Sequence, residues 1–258
     1  MKKLSLFAAT AVAVLMLTAC DPNNGGNENG RTQYPSTADV IRNAVQDVDG
    51  NSYDAVRIGD QVWMATNLKT THYADGTEIP QGTTISDTTA YRYCPSNNPQ
   101  TVDKYGYLYN WPAVMHGESS SESNPSGVQG ICPNGWHVPS DAEWIELKNA
   151  VARRVQYGES IAQALASNDS SWAINYEMGV PGLNPNLNNS TGFSAVPAGD
   201  YDYGGFDNIG NHANFWSATQ HSIYSDDAYC RELYFDFANV YSPCVPKFYG
   251  FSVRCLRD

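Results

Sequence analysis

The sequence predicts an α+β fold on three observations: a strongly capped helix beginning at Ser140, strand-like runs on both sides of it, and long stretches of Gly, Pro, Asn, Ser and Thr between them. Two runs, 52–58 and 61–65, flank Gly59-Asp60, and a Gly-Asp connection favours a hairpin because glycine takes the positive φ that primed turns require. Just before them, Asp47-Val-Asp-Gly has the look of a calcium loop, but an EF-hand needs a bidentate glutamate at its last position, where Ile58 stands. Residues 70–130 are read as loops and short strands rather than helices. The aromatic run from Tyr105 to Trp111 is read as core rather than ligand platform, since aromatics carry most of the burial in a loop-rich fold.

The helix signal is Pro139-Ser140-Asp141-Ala142-Glu143, a capping box in which the Ser140 hydroxyl takes a backbone N–H and Glu143 reaches back to the cap. Trp144, Leu147, Val151 and Val155 follow at helical spacing and make one buried stripe. A shorter helix is expected over 159–166, with Ile161 and Leu165 inward. His137 is read as a structural residue fixing the approach to the first helix. The C-terminal third is β-like, with alternating apolar residues over 213–219, 229–237 and 250–256 broken by Pro243 and Pro246.

The N-terminus has the layout of a secretory signal. Lys2-Lys3 precede an apolar run from Leu4 to Leu17, which is too short for the roughly 20 residues that span a bilayer core. Leu17-Thr-Ala-Cys20 resembles the bacterial lipobox, so residues 1–19 are expected to be removed and Cys20 to carry lipid; two or more acyl chains anchor stably where one is marginal. Residues 20–36 form the expected tether, because Asp21-Pro-Asn-Asn-Gly-Gly-Asn-Glu-Asn-Gly30 has nothing to bury. Asp21 resembles an inner-membrane retention signal of some bacteria, whereas acidic tethers resemble surface-export signals of others. The expected location is the cell envelope, at the outer membrane with the domain facing outward, and the expected partners are the membrane through its lipid anchor and a glycan or surface protein.

Aromatic residues make up 12% of the chain and charged ones only 16%, so there is ample apolar area to bury and a surface rich in amides and hydroxyls, which suits carbohydrate or protein contacts. Without Lys2 and Lys3, 13 basic residues face 27 acidic ones, a net charge of −14 that argues against nucleic acid. Beyond Cys20 stand Cys94, Cys132, Cys230, Cys244 and Cys255, an odd set with no C-x-x-C spacing, read as disulfide-forming in an exported protein.

Several segments together resemble the Fibrobacter succinogenes major paralogous domain, a family of exported bacterial proteins. They are 47–53 (Asp-Val-Asp-Gly-Asn-Ser-Tyr), 58–68 (Ile-Gly-Asp-Gln-Val-Trp-Met-Ala-Thr-Asn-Leu), 105–111, 131–144, 192–199, 215–219 and 250–258 (Gly-Phe-Ser-Val-Arg-Cys-Leu-Arg-Asp). The resemblance implies a single domain over 37–258. The closing Gly-Phe-Ser-Val-Arg-Cys, with Phe-Trp-Ser-Ala-Thr before it, is also similar to the C-type-lectin-like and formylglycine-generating-enzyme-like folds. This similarity implies a C-type-lectin-like core of twisted antiparallel strands, short helices and long irregular loops. By that analogy Cys132 would bridge to Cys255. Cys230 with Cys244 is the next candidate pair, leaving Cys94; a pairing of Cys94 with either of them stands as the alternative.

Catalytic signatures are lacking: the sequence has no Gly-x-Ser-x-Gly elbow, no P-loop and no His-Glu-x-x-His, so no catalytic residue, metal ligand or cofactor is assigned. Calcium has no recognisable motif, for the Glu-Pro-Asn, Gln-Pro-Asp and Trp-Asn-Asp signatures of calcium lectins are missing from the corresponding region. An oxidase of the formylglycine-generating type is disfavoured because Cys244 and Cys255 are too far apart to match its redox pair. The strongest candidate surface is 200–211, where Asp200, Tyr201, Asp202, Tyr203, Asp207, Asn208 and Asn211 offer the carboxylates, amides and rings that bind sugars. The competing reading is that the Asp and Asn residues cap turns while the tyrosines pack. The expected function is a non-catalytic surface binding or adhesion module for glycan, with a structural part in a surface assembly, such as a pilus tip or outer-membrane complex, as the alternative.

Overall fold

A computed structural model describes residues 38–258 apart from Tyr157 and Gly204, and these belong to one compact unit. The expected signal segment 1–19, the lipidation residue Cys20 and most of the tether lie outside the described residues. The chain opens with β1 (Asp39–Gln46), β2 (Ser52–Ile58) and β3 (Gln61–Met64). A loop-rich stretch holds β4 (Arg92–Tyr93), α1 (Val102–Tyr105), β5 (Leu108–Tyr109) and α2 (Trp111–Met115). Then come β6 (Trp136–His137), α3 (Asp141–Ala152) and α4 (Ile161–Leu165). The last part carries β7 (Asp200–Asp202), β8 (Gly205–Asp207), β9 (His212–Gln220), β10 (Asp227–Tyr234), β11 (Cys244–Pro246) and β12 (Leu256–Arg257). The fold is mixed and strand-rich, with few short helices and antiparallel sheets.

A five-stranded sheet runs β1-β2-β3-β12-β6, so the last strand is inserted between the first hairpin and the strand that leads into α3. The hairpin turns at Gly59 (φ +63), with Ile58 opposite Gln61, as the Gly-Asp signal predicts. Strand β1 has no counterpart in the sequence reading; its burial does not alternate, and the register breaks between Ile41 and Val45 around Asn43, which has φ +47. A three-stranded sheet, β11-β10-β9, and two ribbons, β4-β5 and β7-β8, complete the strands.

Ser140 caps α3 and the full capping box is present, with Glu143 Oε2 accepting from Ser140 N at 2.9 Å. Trp144, Leu147 and Val151 are buried, Val155 lying beyond the helix end, half-buried against the same cluster. α4 is trimmed to five residues by its cap, Ser160, whose hydroxyl accepts from Gln163 N at 3.0 Å. Between 70 and 130 the helix-free reading is corrected. Asn110 caps α2 while Pro112 occupies its first turn, a combination that starts a helix even inside a loop-rich stretch. The Asn110 side chain also accepts from Tyr91 N and donates to Ser86 O and Thr89 O, tying three segments together.

The expected strand over 250–256 survives only as β12. Residues 250–256 are all buried, so the alternation is one of residue type and not of exposure, and the partner changes at almost every residue. Gly250 exchanges backbone bonds with Tyr201 and Phe251 with Tyr109; Ser252 donates to Asn214 O and accepts from Trp216 N; Val253 O accepts from Leu68 N and Cys255 O from Met64 N. The segment therefore threads the middle of the molecule. At its centre Arg254 is fully buried, donating to Asn67 Oδ1, Met64 O, Phe193 O and Ser194 O, with its guanidinium 4.6 Å from the Phe193 ring centre. Next to it Cys255 is bonded to Cys132 across 123 residues of sequence.

Cys94, Cys230 and Cys244 carry free thiols, so the expected Cys230–Cys244 bond and its Cys94 alternatives are not made. The register explains the first. Cys244 stands opposite Tyr229, not Cys230, and neighbouring strand residues point to opposite faces.

Candidate functional site

Loop 200–211 is built as the β7–β8 ribbon and its exit into β9. Gly199 (φ +71) precedes it, and a Cβ there would stand 2.1 Å from Asp207 O, so only glycine lets the two strands close at this point. The ribbon sets Asp200 directly opposite Asp207. Asp200 is 6% exposed; its Oδ2 accepts from Asn208 Nδ2 at 3.0 Å and Asn214 Nδ2 at 3.2 Å, and His212 Nδ1 lies 4.0 Å away. Its Oδ1 has no donor among the described residues. Burial, with Asp202, Asp207 and Glu232 nearby, raises the pKa of Asp200 to about 6. A small cavity of about 170 Å³ opens here, lined by Asp200, Phe206, Asp207, Asn208, Ile209 and Asn211 together with Ser96 and Ala198.

The structure thus brings together Asp200, Asp207, Asn208 and Asn211 and separates the rest of the predicted set. Tyr201 is core, stacked on Tyr93 with ring centres 4.0 Å apart. Asp202 is absent from the cavity wall. Tyr203 is 76% exposed and edge-on to Phe248 and Tyr249.

A larger cleft, of about 440 Å³, lies between the 73–90 loops, α2 and Lys247. Trp111 lines it, its indole N–H fixed by donation to Ser217 O at 3.0 Å, and Lys247 Nζ sits 4.3 Å from the centre of its ring. Burial lowers the pKa of Lys247 against the pull of Asp226, Asp227 and Asp87. Tyr73 and His116 are stacked 3.6 Å apart on another part of the wall, and burial raises the Tyr73 hydroxyl to about 12. Glu78, Asp87 and Glu118 supply carboxylates at the rim. Rings beside carboxylates and an amine can stack on sugar faces and hydrogen-bond sugar hydroxyls. Only Trp111 of this set belongs to the run weighed as a ligand platform. The others are spread from 73 to 247, and no local pattern announces them.

The family model of the Fibrobacter succinogenes major domain matches residues 56–257. The chain belongs to this family. No curated protein and no solved structure matches the chain. The match begins in β2 and ends in β12, so the Fibrobacter succinogenes major domain contains the threaded C-terminal segment, the Cys132–Cys255 bond, the cleft and the Asp200 cavity.

Other conspicuous polar groups in the domain have structural partners. Asp47 accepts from Asn51 N and from Tyr53 Oη at 2.6 Å, and Asp49 accepts from Thr70 and Thr71 and lies 2.6 Å from His72 Nδ1. The Asp-Val-Asp-Gly turn is therefore a knot between the first hairpin and the 70–72 loop. Although burial opposes it, these bonds hold Asp49 down at about 2. His137 bridges Glu143 Oε1 at 2.8 Å and Asp258 Oδ1 at 2.7 Å, joining the capping box to the end of β12. Among the described residues no group of three His, Cys, Asp or Glu side chains is placed to hold a metal ion. Of the cysteines near the C-terminal end, Cys255 is bonded to Cys132 while Cys230 and Cys244 are free.

Proposed function

We propose that this Fibrobacter succinogenes major domain is a non-catalytic, lipid-anchored binding module of the bacterial cell envelope that takes a glycan into the Trp111 cleft. The observation that carries the reading is the cleft itself. Its volume lies in the usual range for small-ligand sites, its floor and wall are aromatic, and its rim is carboxylate and amine. A C-type-lectin-like core is part of the proposal, supported by a last strand inserted between the first hairpin and the helix lead-in and by a bridge to Cys132 from Cys255, the residue just before that strand. Without the leader, 13 basic residues face 27 acidic ones, and this net charge of −14 supports a neutral or basic ligand and not a nucleic acid. Lipid on Cys20, at the outer membrane, would present the domain to polymers of the surroundings.

The test is a glycan and polysaccharide array on the full-length protein, in calcium and again in chelator. Binding that falls at least about tenfold in the combined Glu78→Gln and Asp87→Asn variant supports the cleft, since both residues are exposed and no part of the core. A blank array in both buffers would sink the glycan reading.

One observation favours the alternative of a surface assembly. Ile174, Tyr176 and Met178, 75%, 88% and 67% exposed, put three large apolar side chains on one loop. A change of Ile174 and Met178 to Ser that abolishes a co-purifying envelope complex, with the array blank, would move the reading there.

A further inference from the structure

The cavity at Asp200 is separate from the Trp111 cleft and is short of one thing, a positively charged donor. Cross-strand partners of like charge destabilise a ribbon, yet β7 and β8 set Asp200 opposite Asp207, and Asp202 lies on the same side as Asp200 two residues on. The groups facing Asp200 from its other neighbours do not neutralise it. His212 on β9 has its pKa lowered by burial, and Glu232 on β10 adds a further negative charge. Asn208 and Asn214 supply Oδ2 with two amide donors. Oδ1 receives none, although the side chain is more than nine-tenths buried, and Asp200 is among the residues that line the cavity. Asn214, bonded to the same carboxylate, also has an amide oxygen without a donor. Leaving a buried acceptor unmade is costly, and leaving a buried carboxylate unpaired more so.

We infer that this cavity binds a sugar bearing a free primary amine, the ammonium group donating to Asp200 Oδ1 and lying between Asp200 and Asp207. An ammonium brings three donors and one positive charge, which matches one unfilled acceptor beside a second carboxylate. Calcium is the less suited occupant, since among the described residues no group of three His, Cys, Asp or Glu side chains is placed to hold a metal ion. The rest of the wall selects a sugar over a lysine side chain. Ser96, Asn208 and Asn211 are amide and hydroxyl partners for ring hydroxyls, Phe206 and Ile209 suit a carbon face, and a cavity of about 170 Å³ has room for a single pyranose. The inference rests on the glycan reading for its polymer context and on none of the cleft's residues.

The full-length protein is titrated with glucosamine, N-acetylglucosamine, glucose and Nα-acetyl-lysine, followed by calorimetry and by chemical shifts. Glucosamine should bind at least about tenfold more tightly than the two sugars without an amine, because only it leaves no charged acceptor unpaired. Asp200→Asn should abolish that preference. Asp207→Asn, at an exposed position, should weaken it severalfold with the thermal unfolding midpoint no lower than that of the parent, which covers the case in which the buried variant fails to fold. Equal affinities for the three sugars, or a preference that survives both variants, overturns the inference. Nα-acetyl-lysine binding as tightly as glucosamine overturns the assignment to a sugar. Array binding that is sensitive to the cleft variant without any amine preference leaves the proposed function standing and removes this inference alone. An amine preference with a blank array does the reverse.

Discussion

Burial beside Asp202, Asp207 and Glu232 raises Asp200 to a pKa of about 6, so at neutral pH the folded protein holds a carboxylate in a place that disfavours its charge. The sign follows from linkage. A raised acid favours folding while it is protonated, so its contribution is largest below the unfolded value, about 3.9, and is lost as pH rises through about 6. Asp200→Asn should therefore stabilise the unliganded protein by roughly 1–3 kcal/mol at pH 8 and by almost nothing at pH 4, as read from urea unfolding at the two values. His137 works the other way. Burial opposes its protonation, but the bonds to Glu143 and Asp258 prevail and raise its pKa. Its stabilisation is complete below about pH 6.5 and is lost as pH rises through the folded value. His137→Ala should cost about 3–5 kcal/mol at pH 6, because Glu143 is left buried without its positive partner, and less at pH 9. A flat difference between the two pH values would refute the ionic part of that account.

α3 illustrates how one element combines local and long-range signals. Its cap is written into Ser140 and Glu143, but Glu143 Oε2 also accepts from Ser126 N, and Asp141 pairs with Arg231 at 2.6 Å and donates its backbone N–H to Thr219. Ser140→Ala should cost about 1 kcal/mol of unfolding free energy, toward 2 if the displaced Glu143 also loosens its hold on Ser126. Guanidinium unfolding followed by tryptophan fluorescence would measure it, since Trp144 is packed 4.5 Å from Trp63, ring centre to ring centre. A loss below about 0.3 kcal/mol would mean that packing alone holds the helix start.

Across the whole molecule, the Cys132–Cys255 bond ties the lead-in of α3 to the threaded C-terminal segment and closes a loop spanning 123 residues of sequence. Chain entropy sets an upper figure of about 5 kcal/mol for a loop of this length, so Cys132→Ala with Cys255→Ala, or reduction, should lower the thermal midpoint by many degrees. Thiol counting gives a second check. Three thiols beyond Cys20 should react in denaturant, and in the native protein Cys244 should react first, because it is half-buried where Cys94 and Cys230 are buried and burial raises both of their pKa values. A single reactive thiol would show that two of these three had joined after all.

The sequence by itself determined the features whose physics is local. The Gly59-Asp60 turn, the capping box at Ser140 and the buried stripe of Trp144, Leu147 and Val151 each rest on residues a few positions apart. The motif Gly-Phe-Ser-Val-Arg-Cys could be matched to a family, but its meaning came only from the fold: Phe251 meets Tyr109, Ser252 meets Asn67 and Asn214, Arg254 meets Asn67, Phe193 and Ser194, and Cys255 meets Cys132, and no periodicity encodes such a set of distant partners. The candidate loop 200–211 was legible from its composition. Which of its residues share a cavity was decided by the pairing of Asp200 with Asp207, which turned Tyr201 into the core and left Tyr203 in solvent. The Trp111 cleft had no sequence signal, because its wall is drawn from residues up to 174 positions apart, Tyr73 to Lys247, and contacts between such residues exist only once the chain is folded.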